Sequence, residues 1–293
     1  RPGSPASRSV LKSYTAARTA RPDPSNSTTT RSNTPVTHAP SSTISNARSR
    51  HTSTRAATGF VQTSASSGAP GGGGGGSVTA RLSNLSVRTA MATGQNLIVG
   101  FFVDGGSRNI LVRAAGPALT VLGVPGAMTD PRLDLYSGST LVLSNEDWAP
   151  ALASTFASVG AFAFPNGSRD AAFQQNIGGS ASVHARGTGP GILLVEAYDT
   201  GTGNTPRLVN VSARNQVGTG DDILIAGFNI AGTGTKQLLF RAVGPKLAAF
   251  GVTGFLVDPK LELYSGSTKL NENDSWAANL TAWSANASAS RSE

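Results

Sequence analysis

Residues 113–148 read RAAGPALTVLGVPGAMTDPRLDLYSGSTLVLSNEDW, and residues 241–276 read RAVGPKLAAFGVTGFLVDPKLELYSGSTKLNENDSW. Aligned without a gap over 113–140 and 241–268, 17 of 28 positions are identical, so the chain carries an internal duplication. A duplicated unit fixes domain size and boundaries before any other inference. Further out, RLSNLSVRT at 81–89 matches RLVNVSARN at 207–215, which marks the start of each copy and a period of 126–128 residues. The chain therefore divides into 1–80, a first copy at 81–206 and a second at 207–293. Glu293 follows Trp276 by only 17 residues and the first residue is Arg1, so we expect a fragment cut at both ends. The second copy should then be incomplete and expose an apolar edge.

Within a copy, short apolar runs alternate with turn residues. Leu82, Leu85 and Val87 give a half-buried segment, and residues 92–95 turn. The run NLIVGFFV at 96–103 ends at Asp104-Gly105-Gly106, which predicts a hairpin, with NILVRA at 109–114 running back. Gly116-Pro117 breaks that strand, and residues 118–124 have room for one helical turn. Leu133 and Leu135, then Leu141 and Leu143, alternate on either side of Tyr136-Ser137-Gly138-Ser139, a second hairpin. Residues 170–177, 181–186 and 191–198 read as three more strands, the first two separated by Gly178-Gly179. About eight short strands per copy, with few places for a helix beyond two turns, predict an all-β fold. We expect tandem antiparallel β-sandwiches, jelly-roll-like, behind a disordered tail.

That tail is residues 1–80, rich in Ser, Thr, Ala, Arg and Pro and without a usable hydrophobic period. Such a composition buries too little apolar surface to offset the entropy of ordering it. It ends in six glycines at 71–76, a linker and not a phosphate cradle, because no GK[ST] follows. The formal charge of +8 belongs to the tail, which holds eight Arg, Lys12 and a single acid, Asp23; the rest of the chain is balanced. We therefore do not expect nucleic acid as a partner of the repeats. There is no cysteine, which excludes disulfides, thiolate metal sites and a cysteine nucleophile. No apolar run has the roughly 18–20 residues of a membrane span.

The stretch 130–148, DPRLDLYSGSTLVLSNEDW, with ILLVEAYDT at 192–200, resembles the bacterial pre-peptidase C-terminal family of β-sandwiches. The whole unit, with RLSNLSVRT, RAAGPAL at 113–119 and 209–228, is similar to a tandem module of large exported proteins of environmental bacteria. The resemblance covers about residues 81–293 and implies an accessory role at the cell surface or outside the cell. It brings no catalytic residue.

Chemistry-bearing residues are few. Of three histidines, His38 and His51 lie in the tail and His184 lies in a solvent-facing alternation at 182–186; no G-x-S-x-G elbow accompanies it. The carboxylates Asp130, Asp134, Glu146 and Asp147 are candidates for a paired-acid site, but Asp147 becomes Ser275 in the second copy and aromatics are only 6%. Calcium suits the inventory better, because it takes six to eight oxygen ligands from Asp, Asn and turn carbonyls. Its candidate ligands are Asp130, Asn145, Glu146 and Asp147; the competing role for them is turn hydrogen bonding. Arg113 and Arg241 should pin strand ends against a carboxylate such as Asp130 or Asp258. Trp148 and Trp276 are either lids on the core or stacking platforms for sugar. We expect a non-enzymatic structural, spacer or adhesive module, extracellular or cell-surface, contacting neighbouring modules of its own chain. The alternative is a carbohydrate-binding accessory module of a secreted hydrolase, with surface glycans as partner.

Overall fold

The computed structural model describes residues 9–17, 57–65, 80–218, 222–232, 236 and 238–274. The remainder of the segment read as a tail, with the polyglycine run, His38 and His51, lies outside the described residues, as do Ser275 and Trp276.

The fold is all-β, as the turn-punctuated pattern predicts. Among the described residues thirteen strands run in order: β1 (Ser9–Ala17), β2 (Ala57–Ala65), β3 (Arg81–Met91), β4 (Leu97–Ala115), β5 (Pro131–Ser137), β6 (Thr140–Asn145), β7 (Ala171–Gly187), β8 (Gly191–Asp199), β9 (Arg207–Val217), β10 (Leu224–Ala231), β11 (Leu238–Val243), β12 (Pro259–Ser265) and β13 (Thr268–Asn273). The helices are short: α1 (Pro117–Val121), α2 (Ala153–Val159) and two 3₁₀ turns at Pro150–Leu152 and Pro245–Phe250. None of the described helices is long and apolar enough to cross a membrane.

Two of the expected turns are not turns. Asp104-Gly105-Gly106 lies inside the 19-residue β4, and Gly178-Gly179 lies inside the 17-residue β7. The reason is that the two glycine-rich points face each other: Val103 is opposite Gly179, Ser107 is opposite Gly178, and the register shifts between Val103 and Ser107. Gly105, Gly106 and Gly179 have φ of 80°, 129° and 67°, which suit a bulge as well as a hairpin. Both strands bend together there, and the ribbon β4–β7 passes from one half of the sheet to the other. Among the described residues all thirteen strands are linked in one sheet folded over one large core. Leu82, Val87, Val99, Phe101, Val112, Val183, Val195, Val211 and Phe228 all meet in that core.

The repeats trade strands. β3 and β9 open the first and second copies, and β4 and β10 follow them. Yet β3 pairs with β10, and β9 pairs with β4. The two pairings match residue for residue: Leu85 opposite Phe228 repeats as Val211 opposite Phe101, and the ladders slip at equivalent places, Asn229/Ile230 and Phe102/Val103. The equivalent residues Leu82 and Leu208 face each other, closing a ring of β4, β8, β3 and β9. Their equivalents further along also touch, with Asn215 Nδ2 donating to Thr89 Oγ1 at 3.0 Å. This is an approximate two-fold arrangement with Leu82 and Leu208 at its centre.

The slots left in the second copy are held by the chain ahead of the first. β8 lies between β3 and the last third of β4, with Val195 opposite Val87 and Ala114. β2 lies in the same register between β9 and β11, with Val61 opposite Ala213 and Ala242. β1 fills the place between β10 and β12 that β7 fills between β4 and β5. The expected apolar edge is thus covered at β9, β10 and β12, and persists at β11, the end of the strand order. Leu239 there is 39% exposed, whereas its equivalent Leu111 is fully buried.

Candidate functional site

The residues singled out from the sequence fall on two parts of the first copy. One is the outer face of β5, β7, β4 and β9. Along one row, Asp134, His184, Ile98 and Arg214 stand opposite one another on successive strands. Alternation puts Leu133, Leu135, Val183 and Val99 into the core and leaves this row outside.

Asp134 is nevertheless buried, because long cations close over it. It accepts hydrogen bonds from Ser144 Oγ at 2.6 Å and Arg132 Nε at 3.0 Å, and Arg186 lies at 2.6 Å. Burial alone would raise the Asp134 carboxyl; the bonds from Ser144 and Arg132 and the charges of Arg186 and Arg132 hold it below its ordinary 3.8. His184 stacks on Tyr136 with ring centroids 4.4 Å apart, and its Nδ1 is 3.2 Å from Asn96 Nδ2. Burial, with Arg214 and Arg186 nearby, keeps the imidazole below its ordinary 6.5 against the pull of Asp134. One carboxylate stands beside His184, and two arginines occupy it. Around the bend, Gly100, Phe102, Ser180, Asn210 and Ser212 line a shallow open depression of about 410 Å³.

Three of the four candidate calcium ligands, Asp130, Asn145 and Glu146, have side chains engaged elsewhere, and Asp147 contributes a backbone carbonyl. Asp130 accepts from Arg169 at 2.9 Å, and Glu146 accepts from Arg132 at 2.6 Å. Asn145 donates to the Asp147 carbonyl at 2.8 Å and accepts from the Ala172 backbone N–H at 2.9 Å, which ties the turn to β7. Among the described residues, no three His, Cys, Asp or Glu side chains gather as metal ligands. Asn145 and Asp147 are joined, while Asp130 and Glu146 face different arginines.

The second part is a small core on the opposite face of β4 and β8, roofed by residues 148–164. Trp148 is buried, packs 5.5 Å from Phe156 and 5.9 Å from Phe164, and donates to Ser168 Oγ. Arg113 is wholly buried beneath it, with the guanidinium carbon 4.0–4.5 Å from the centres of the Phe156, Phe162 and Phe164 rings. Its partner is Glu196 on β8, at 3.4 Å, and not Asp130 as expected; Arg113 Nη1 donates to the Phe162 carbonyl at 2.8 Å. Nε to Oε2 is a charge contact without a formed hydrogen bond, since both atoms lack a hydrogen-bond partner. Tyr198 supports Glu196 from two residues away, at 2.7 Å. Arg241, the counterpart of Arg113, is exposed and stands opposite Gln62 of β2.

Several residues were missed in the sequence. Asp170, fully buried, accepts from the backbone N–H groups of Gly116 and Ala118 and from Ser168, fixing the start of α1. Arg108 reaches Asp199 at 2.5 Å and donates to the carbonyls of Thr202 and Gly203, clamping the connector between the copies. For Glu196 and Asp199, the partners of Arg113 and Arg108, the available signal was a charge inside the apolar run ILLVEAYD at 192–199, since a buried charge demands a partner.

The chain matches no known family model, no curated protein and no solved structure.

Proposed function

We propose that this chain is a non-enzymatic structural module, a spacer or adhesive unit of an exported or cell-surface protein. The observation that carries the reading is the reciprocal pairing of β3 with β10 and β9 with β4, in identical register and over one core. Interlocked repeats resist being pulled apart, because the ladders of both copies must shear together. The residue chemistry agrees: His184 has a single carboxylate neighbour, already bound by cations, and Trp148 is a roof over Arg113, not a stacking platform for sugar. The resemblance to accessory modules of exported bacterial proteins points the same way.

Stretching single molecules from both ends tests it. We expect both copies to rupture as one event at high force, and an array of soluble glycans to show no saturable binding. Stepwise low-force unravelling of one copy before the other would defeat the spacer role. Glycan binding lost on Tyr136→Ala would establish the carbohydrate-binding alternative instead.

A further inference from the structure

The slot between β10 and β12 holds its strand in an unusual sense. In the first copy the equivalent slot, between β4 and β5, is filled by the second half of β7, antiparallel on both sides; Ala185 faces Leu97 and Leu133. In the second copy β1 runs parallel on both sides, and Leu11 faces the equivalent residues Leu224 and Leu261. These are the two parallel ladders of the described sheet. Parallel ladders hold slightly less strongly per residue than antiparallel ones.

The walls of the two slots carry the same chemistry. Leu97, Val99 and Phe101 with Leu133 and Leu135 enclose Ala181, Val183 and Ala185 of β7, and all are buried. Leu224, Ala226 and Phe228 with Leu261 and Leu263 are the corresponding walls around β1. On the outer face, Glu262 occupies the position of Asp134, the residue that receives Arg186 from β7 at 2.6 Å.

We propose that the β10–β12 slot is a strand-acceptor site. Its matching occupant is an antiparallel extended segment of β7 chemistry, with small apolar residues facing in, polar residues facing out and an arginine opposite Lys260 whose side chain reaches Glu262, as Arg186 opposite Arg132 reaches Asp134. β1 is then an exchangeable placeholder, and the site joins one chain to a strand from another by β-augmentation. The inference rests on the register of the strands and stands whether or not the module is a spacer.

The test uses the full chain and a labelled peptide of residues 179–187, GSASVHARG. Lys12→Pro removes a backbone donor from the middle of β1, where proline is not tolerated between two neighbours. We expect saturable one-to-one binding, at least about tenfold tighter to Lys12→Pro than to the unaltered chain, and none with the Val183→Asp peptide. Direction is read by cysteine trapping on the otherwise unaltered chain. Arg132 faces Arg186 in the first copy, so Lys260→Cys should couple to the Arg186→Cys peptide and not to the Ser180→Cys peptide. No saturable binding to Lys12→Pro up to millimolar peptide, or coupling to Ser180→Cys alone, overturns the proposal. Should Lys12→Pro not fold, trapping on the unaltered chain decides by itself.

Discussion

Arg113 shows how much a single buried charge depends on its surroundings. Its guanidinium lies among three phenylalanine rings with Glu196 as counter-charge. Removing one member of such a pair leaves the other charge buried and alone. Glu196→Gln should therefore lower unfolding free energy by about 3–5 kcal/mol. Arg113→Met combined with Glu196→Gln removes both charges while Gln still accepts from Tyr198, and should cost only about 1 kcal/mol. Urea midpoints of the two variants check the difference. His184 acts through its protonation. Its native pKa lies below 6.5, so the unfolded chain takes up a proton near pH 6.5 that the native chain refuses. Stability is then whole above that pH and declines as pH falls below it. Urea midpoints measured from about pH 7.5 down to 5.5 should fall, and His184→Gln should flatten the slope in that window.

At the scale of elements, glycine placement decides where strands bend and where they stop. The glycines at 105–106 and 178–179 signal a turn when each strand is read alone; only their facing positions in the paired ribbon make them a shared bend. That pairing joins residues some seventy positions apart and is invisible to local pattern, which is why two long strands read as four short ones. Gly116 and Gly244 are a different case. They are identical in the two copies because a Cβ there would overlap the carbonyl oxygen of Met128 and of Leu256, respectively. Gly116→Ala should destabilise the fold by about 1–3 kcal/mol by forcing the 116 and 128 segments apart, measurable as a lower thermal midpoint. The alternation of Leu133 and Leu135, the helical turn after Pro117 and the hairpin at Tyr136–Ser139 were all legible, because each depends on neighbours in sequence. Asn145 was legible as a turn residue; its bond to Ala172 of β7 was not.

For the whole molecule, duplication was plain from the sequence and the exchange of strands was not. Identical phrases in the two copies carry no mark of which copy they will pair with, since the β3–β10 and β9–β4 ladders are chemically alike. The shared core has a thermodynamic consequence. Urea unfolding followed by Trp148 fluorescence, with Trp276 and Trp283 replaced by Phe, and by far-ultraviolet dichroism should give one coincident transition; two separated transitions would show independent copies. A protease site placed after Gly203 offers a second check. Once cut, the two pieces should still migrate as one particle through a sizing column, because the connector held by Arg108 is not what keeps them together.

The facing pair Leu82 and Leu208 also constrains the history open to this chain. Most gene duplications leave one copy free to drift or to be lost while its twin carries on. Here each copy supplies a wall of the other's interior, so a change in either is judged by both. Deleting one copy would not return the ancestor but would leave a half-built molecule. Duplicates that have traded strands are inherited together, and further growth by duplication is expected to proceed in pairs.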